Sequence, residues 1–345
     1  MIALYILSFI FIISPFFPAT GNPHWFFRTP DFIRLQSIFV EIVLLVLLIL
    51  FEDKFTILSW SITTALVVVI IYQMVKVFPY SHFYPRKKPN YPSKGCISIL
   101  AANVLQTNTN YKQFESLIEQ YNADIVITME SNKDWELGLE QIESKYPYSV
   151  KIPKENFYGM HLYSKSKPKN VTINYLVDEE TPSIFLEYPV SETRNIFIAI
   201  LHPAPPSPTE NETSIDRDAE LMLIGKEIEK KDMPVVVCGD MNDVVWSRTT
   251  RLFKKMTSMV DPRVGRGFFS TYHAGYFFMR FPLDHLFHTK DLFVKKMVRT
   301  PNFGSDHFGM YYEIHLKKND STPSTSQLNG DEKEEVSEII DKASD

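Results

Sequence analysis

Cysteine is nearly absent from this chain of 345 residues: it has only Cys96 and Cys238. Both fall in apolar stretches that read as buried strands, so they serve as small core residues. A disulfide framework and a thiolate metal site are thereby set aside. There is no Gly-rich phosphate loop and no internal repeat, which excludes P-loop nucleotide chemistry and solenoid architectures. Nor is the chain basic. Its formal net charge is −5, and that charge is local: residues 319–345 hold eight acidic residues against two lysines, a net of −6, leaving +1 for the rest. A near-neutral body argues against a protein built to grip long nucleic acid by charge. The tail is rich in Ser, Thr and acid and poor in aromatics, and is expected to be disordered.

Long apolar runs, by contrast, are plentiful at the start. Residues 2–18 carry no charge, Leu35–Phe51 is apolar except for Gln36, Ser37 and Glu41, and Phe55–Val75 carries only scattered Ser, Thr and Gln. Each is roughly the ~17–25 residues that cross a bilayer. The first run has no basic n-region and no Ala-x-Ala after it, so it reads as a span rather than a cleaved signal. Glu41 lies mid-span, where a carboxylate must be protonated or hydrogen-bonded to a Ser or Thr of a neighbouring helix. With three spans, the first loop and the C-terminal part share a side. That side carries Arg28, Arg34, Lys76, Arg86, Lys87, Lys88 and Lys94, and the other only Lys54. The positive-inside rule then places the large domain in the cytoplasm of a multi-pass membrane protein.

The chain divides accordingly: a membrane anchor over 1–75, a basic Pro-rich linker over 76–95 with Arg86–Lys88 near lipid headgroups, a soluble domain over 96–316, and the acidic tail over 317–345. Within the domain, apolar runs predict strands at 96–102, 124–129, 158–164, 184–188, 195–201, 234–239, 283–288, 293–298 and 309–315. Helices are predicted at 110–121, 213–231 and 247–257, with Asn110 capping the first and Thr213 or Ser214 the second. Many strands with few helices between them suggest an α/β domain of two packed sheets flanked by helices.

Polar residues recur at the ends of these strands. Asn103 follows Ile97–Ala102, and Glu130 follows Ile125–Met129. His202 follows Ile196–Leu201 and opens the stiff turn Pro203-Ala204-Pro205-Pro206. In Val235-Val236-Val237-Cys238-Gly239-Asp240-Met241-Asn242, a glycine permits a sharp turn, after which Asp240 and Asn242 project together. Asp284 and His285 sit in Leu283–His288, and Asp306 and His307 come last. Acid, amide and imidazole at strand tips suit a metal-assisted hydrolase: oxygen ligands for a hard cation, an orienter for water, and donors for phosphate oxygens.

In their order, Leu201-His202-Pro203-Ala204-Pro205, Gly239-Asp240-Met241-Asn242, Leu283-Asp284-His285 and Ser305-Asp306-His307 resemble the motifs of the endonuclease/exonuclease/phosphatase superfamily, over about residues 96–316. The membrane prefix resembles a membrane-anchored bacterial branch. The resemblance implies a four-layer α/β/β/α sandwich of the DNase I-like kind and Mg²⁺- or Mn²⁺-dependent cleavage of a phosphoester. It makes Glu130 the main metal ligand, with Asn103 beside it and Asp306 able to join. Asp240 orients or deprotonates water, and Asn242 contacts the phosphate or holds Asp240. Asp284 buttresses His307, which donates to a non-bridging oxygen, and His202 donates to the phosphate or protonates the leaving oxygen. Two departures stand out. Leu105 takes a position where some nucleases of the family carry an acid, and Glu155 is the only nearby candidate to pair with His202.

The expected partners are a lipid bilayer, through the N-terminal helices, and a phosphoester substrate: nucleic acid, lipid headgroup or small molecule. No protein partner is inferred. A catalytically dead scaffold is the rival class, and the intact set Glu130, Asp240, Asn242, Asp284 and His307 speaks against it. His161, His285 and His288 read as structural. Trp246 and the aromatic run Tyr272, Tyr276, Phe277 and Phe278 read mainly as core, although the run sits just before Asp284, where substrate would arrive.

Overall fold

A computed structural model describes residues 1–86, 96–317 and 326–344. The rest of the expected linker, with Lys87 and Lys88 and the side chain of Cys96, lies outside the described residues, as does part of the tail.

The N-terminal runs form helices α1 (Ile2–Ile13), α2 (Trp25–Phe32), α3 (Arg34–Phe51) and α4 (Ile57–Val77). Three segments are long and apolar enough to cross a membrane: Ile2–Thr20, Arg34–Phe51 and Ile57–Tyr80. Glu41 does find a partner, though an amide rather than a hydroxyl: Gln73 on α4 donates to both carboxylate oxygens, at 2.6 and 2.7 Å. The third span overruns its expected end at residue 75. A 3-10 turn at Phe78–Tyr80 carries it onto the domain, where Tyr80 donates to the Val245 carbonyl.

The domain contains helices α5 (Tyr111–Tyr121), α6 (Lys133–Gly138), α7 (Ile215–Glu229), α8 (Arg248–Thr257) and α9 (Gly330–Asp341). One sheet has the order β10-β11-β1-β2-β4-β3 and the other β5-β6-β7-β8-β9. Their strands are β1 (Cys96–Asn103), β2 (Ile125–Met129), β3 (Tyr148–Ile152), β4 (Met160–Ser164), β5 (Lys169–Asn174), β6 (Ser183–Pro189), β7 (Asn195–Leu201), β8 (Val235–Asp240), β9 (Asp284–His288), β10 (Leu292–Arg299) and β11 (Met310–Leu316). Ile99, Ile127, Ile198 and Val236 meet between the sheets. Leu100 and Val126 face Phe114 and Trp135 on the outer side of the first sheet, while Ala199 and Val237 face Met222 and Phe253 outside the second. The result is the expected four-layer α/β/β/α sandwich.

Two strands escape the sequence reading, β3 and β5, and both are sheet edges. Neither is buried along its length: Tyr148–Ile152 is exposed to half-buried, and Lys169-Asn170-Val171-Thr172-Ile173-Asn174 shows no apolar run and is largely exposed. The tail is a correction. Residues 330–341 form α9 instead of remaining disordered, because Asn329 and Glu332 make a capping box and Val336 buries itself in the cluster beside α7 and α8. Salt bridges Arg248–Glu335 and Lys255–Glu332 fix the acidic face.

The loop between the first two spans docks on the domain. Trp246 Nε1 donates to the Asp31 carbonyl at 2.8 Å, and buried Arg28 pairs with buried Asp218 at 3.2 Å. Phe32, Ile33, Leu35 and Ile38 pack with Val244, Trp246, Phe281 and Leu283. Breaking a buried ion pair costs about 3 kcal/mol, and Asp218 keeps Arg217 at 2.8 Å. Arg28→Ala should therefore lower the denaturant-unfolding stability of the detergent-solubilised full chain by about that amount. An unchanged unfolding midpoint would mean that the loop rests on the domain without help from this pair.

Candidate active site

Parallel pairing brings the first four site residues to one edge. β1 runs parallel to β2, with Asn103 beside Met129, so Glu130 lies one step beyond. β7 runs parallel to β8, with Leu201 beside Gly239, so His202 and Asp240 leave together. Each parallel pair is joined through a helix, α5 or α7, as parallel pairing requires. The antiparallel neighbours contribute their beginnings: Asp284 opens β9 opposite Asp240, and His307 precedes β11, which lies against β1. Gly239 is needed at the second junction. Its φ is +144°, and a Cβ there would fall 1.9 Å from the Leu201 carbonyl oxygen.

All eight residues expected at the site converge. Glu130, His202, Asp240, Asn242, Asp306 and His307 line one cleft of about 780 Å³. Asn103 Nδ2 bridges Glu130 Oε1 at 2.6 Å and Asp240 Oδ2 at 3.1 Å. Asp284 Oδ2 lies 2.9 Å from His307 Nδ1, and the other ring nitrogen of His307 faces Asp240 Oδ2 at 3.5 Å. Asn242 holds Asp240 through its backbone, its N–H donating to Oδ1 at 3.0 Å; its side chain donates instead to the Pro203 carbonyl. Glu130 and Asn242 both adopt left-handed backbone, at φ +58° and +48°, conformations that surrounding contacts must hold.

The electrostatics differentiate these groups. For Glu130, burial dominates and raises the carboxyl to about 7, despite the Asn103 hydrogen bond. Burial also works against charge on Asp240, but His307, His202, the Asn242 N–H and Asn103 hold its carboxyl below the ordinary range. Burial opposes charge on His307 as well, yet Asp240 and Asp284 outweigh it and raise the imidazole to about 10. Burial lowers His202 against the pull of Asp240, 4.0 Å away. Burial raises the Asp284 carboxyl above its ordinary range, against the pull of His307. At neutral pH the site therefore holds a protonated His307 between Asp240 and Asp284, and a neutral imidazole beside it.

Asp240, Asp284 and His307 offer ligand atoms within 4.8 Å of one another. Both ring nitrogens of His307 already face a carboxylate, Nδ1 at 2.9 Å from Asp284 and Nε2 at 3.5 Å from Asp240, so we read this trio as a charge-paired chain. Glu130 fits a divalent cation better. It is a half-buried carboxylate whose protein contacts are the Asn103 amide and the Gln106 N–H, at 3.4 Å, with no Lys or Arg pairing it among the described residues. Asp306 lines the same cleft as a further oxygen donor of the kind a hard cation prefers, whereas Asn103 presents its Nδ2 to Glu130 and gives its Oδ1 to the Leu105 N–H, so its amide would turn over to join.

Several contributors were not legible in the sequence. Tyr272 lies 4.9 Å, ring to ring, from His307, and Tyr158 lies 5.6 Å from His202. Ser305 Oγ donates to the Asn103 carbonyl and accepts from the His307 N–H, joining the two ends of the site. Arg217 donates to the Asn242 carbonyl at 2.8 Å. Phe32, from the N-terminal segment, lines the cleft. The aromatic run from Tyr272 lies where the sequence puts incoming substrate, and Ser305 belongs to the Ser305-Asp306-His307 motif; Tyr158, Arg217 and Phe32 carry no local signal. Glu155 does not pair with His202. Its carboxylate accepts from Asn132 and the Lys133 N–H at the start of α6. Elsewhere, His285 accepts from Arg263 and donates to the Asp243 carbonyl, and burial drives it down to about 3, in keeping with a structural role.

The fold has solved counterparts. D. rerio TDP2 complexed with single strand DNA product superposes with a TM-score of 0.54 at 15% identity, over 64% of this chain and 98% of that one. The human Nocturnin catalytic domain with bound sulfate anion gives 0.53 at 16%, over 66% and 97%. An endonuclease/exonuclease/phosphatase family protein from Bacteroides thetaiotaomicron gives 0.54 at 14%, over 66% and 100%. Among proteins with curated descriptions, none matches the chain in sequence. Residues 99–307, most of the sandwich and every residue of the cleft's polar set, match the Endonuclease/Exonuclease/phosphatase family, and the chain belongs to that family.

Proposed function

We propose that this protein is a membrane-anchored, divalent-metal-dependent phosphodiesterase. Residues 1–75 cross the bilayer, and the domain from about residue 96 to 316 acts in the cytoplasm. The observation that carries the reading is the buried carboxylate of Asp240, faced by His307 at 3.5 Å and His202 at 4.0 Å and bridged through the Asn103 amide to the carboxylate of Glu130.

Glu130 would hold Mg²⁺ or Mn²⁺, with Asn103 and Asp306 beside it. When bound, the cation supplies positive charge to a phosphate oxygen. The remaining work belongs to the chain. Asp240 orients the attacking water and takes its proton as the new P–O bond forms. Its depressed pKa suits orientation and leaves proton transfer to the moment when the attacking oxygen becomes acidic. His307, charged and braced by Asp284, meets the negative charge that develops on the non-bridging oxygens. Asn242 fixes Asp240 through its N–H and ties the Pro203 turn in place. His202 donates one hydrogen bond to the phosphate as a neutral imidazole. Its Nδ1 has no partner among the described residues, so no carboxylate stands behind it to hold a proton for a leaving group, and the leaving oxygen takes its proton from water.

Three measurements test this. Glu130→Gln should abolish Mg²⁺-dependent hydrolysis of bis-p-nitrophenyl phosphate and the thermal stabilisation by Mg²⁺. Asp240→Asn should slow hydrolysis about 10²–10⁴-fold with little change in KM. Activity that survives EDTA refutes the metal, and an Asp240 variant near wild-type rate refutes the water-orienting role.

His202→Ala should lose the same factor on an alkyl phosphodiester as on an activated p-nitrophenyl ester, because it binds phosphate in both. A variant crippled on the alkyl ester and spared on the activated one would make His202 the leaving-group acid instead.

Orientation has its own check. Seven basic residues on one side against Lys54 on the other place the domain in the cytoplasm. A C-terminal green fluorescent fusion should glow, and a C-terminal phosphatase reporter, active only outside the cytoplasm, should be silent. The opposite pattern overturns the orientation.

A further inference from the structure

The loop between Tyr272 and Phe281 exposes a contiguous run of large apolar side chains. Tyr276 is 64% exposed, Phe277 72%, Phe278 81% and Met279 47%. Clustered exposure of this kind marks an interaction surface rather than ordinary surface chemistry. The loop is not a free flap. At its root, the Ala274 N–H donates to the Asp306 carbonyl at 2.6 Å, and Tyr272 packs on His307. Arg280 donates to the Ala274 carbonyl and lies 5.4 Å from the Phe277 ring centre. The site thus presents its aromatic run on a fixed base.

What covers the run follows from where it is held. Gln36 Nε2 donates to the Phe278 carbonyl at 2.8 Å, and Gln36 is the third residue of α3, the span Arg34–Phe51. Eighteen helical residues rise about 27 Å, close to the ~30 Å of a hydrocarbon core. Arg34 therefore stands at the headgroup boundary, and Phe278 is tied within one helical turn of it. Phe32, two residues before Arg34, lines the catalytic cleft itself. Phe39, 68% exposed on the same span, continues the apolar surface along α3. The exposed run is thus continuous with the part of the chain that meets lipid, and the cleft opens at headgroup height.

We propose that the Tyr276–Met279 loop inserts into the leaflet at which α3 begins, and that the cleft takes as its substrate a phospholipid phosphodiester presented by that leaflet. The acyl chains stay in the bilayer beside Phe277 and Phe278, and the phosphate reaches Glu130, Asp240 and His307 past Phe32. This rests on the phosphodiesterase reading and narrows its substrate. Water adds to phosphorus, one P–O ester bond breaks, the water's proton passes to Asp240, and the released oxygen takes a proton from water, giving a phosphomonoester and an alcohol.

The test uses the full chain in nanodiscs of phosphatidylglycerol and phosphatidylcholine with Mg²⁺, assayed on the nanodisc lipid, on water-soluble bis-p-nitrophenyl phosphate and on a single-stranded oligonucleotide. The wild type should cleave the lipid and the soluble diester. Phe277→Ser with Phe278→Ser should lose about tenfold or more on the lipid, since insertion scales with buried apolar area, and keep its rate on the soluble diester. Independently of activity, p-benzoylphenylalanine in place of Phe278 should photocrosslink to phospholipid. Cleavage of the soluble diester with intact lipid overturns the substrate inference and leaves the phosphodiesterase reading standing; if the oligonucleotide is cut while the lipid is spared, nucleic acid takes its place. No cleavage of any substrate overturns both. Equal loss on lipid and soluble diester, or absence of the lipid crosslink, overturns the insertion of the loop.

Discussion

Asp240 is a carboxylate buried at the tip of β8 in the second sheet, and much of the surrounding architecture answers its charge. An uncompensated buried ion costs several kcal/mol, while a hydrogen bond to a charged group contributes about 1.5–3 kcal/mol. One donor would not suffice. Asp240 has the Asn242 N–H and the Asn103 amide as donors, and the His307 imidazolium at 3.5 Å. Each of these needs support of its own. His307 keeps its proton because Asp284 stands behind it, and Asp284 stands there because β9 pairs with β8 in the register that sets Asp284 against Asp240. Asn103 reaches Asp240 because the two sheets close on one core, and it is held at its own carbonyl by Ser305. Even Gly239 belongs to this chain of dependence, since a side chain there would push β7 away and His202 with it.

Glu130 has no comparable support. Among the described residues, its half-buried carboxylate takes hydrogen bonds only from the Asn103 amide and the Gln106 N–H, and desolvation lifts its pKa to about 7 although His307 pulls the other way. The two acids lie within reach of the same Asn103 amide and feel the same imidazolium, yet His307 and the donors win at Asp240, which His307 faces at 3.5 Å, and desolvation wins at Glu130. That asymmetry separates an acid held charged by its neighbours from one whose uncharged form competes at neutral pH.

The sandwich and its site were legible in the sequence wherever burial leaves a local trace. β2, β7 and β8 are buried along their length and read as unbroken apolar runs, and each is followed by a polar residue where the backbone emerges. Edge strands β3 and β5 leave no such trace. The helix at 330–341 was hidden by its acidic composition, which reads as disorder until the basic face of α8 is placed opposite it. Asn242 was expected to contact the phosphate or hold Asp240, and it does hold Asp240, through a backbone N–H that the residue type does not foretell. Ser305 stands in the Ser305-Asp306-His307 motif, which does not reveal that its hydroxyl joins Asn103 to His307; Arg217 and Phe32 were out of reach altogether. They come to the site from distant parts of the chain, and no spacing rule connects Phe32 to a cleft built from residues 103–307.

Phe32 also changes what the N-terminal segment is for. A tether needs only to reach the membrane, and its loops would be free of the domain. Here α2 and the first turn of α3 share a core with Val244, Val245, Trp246 and Leu283, the residues that flank Asp240, Asn242 and Asp284. Arg28 completes the neutralisation of Asp218, which pairs with Arg217, which in turn donates to the Asn242 carbonyl. The path from the N-terminal segment to Asp240 is thus a short run of polar contacts with apolar packing around it. Removing residues 1–80 would uncover Trp246, leave Asp218 short of one cation and strip one wall from the cleft. The N-terminal segment is therefore a structural part of the site it adjoins.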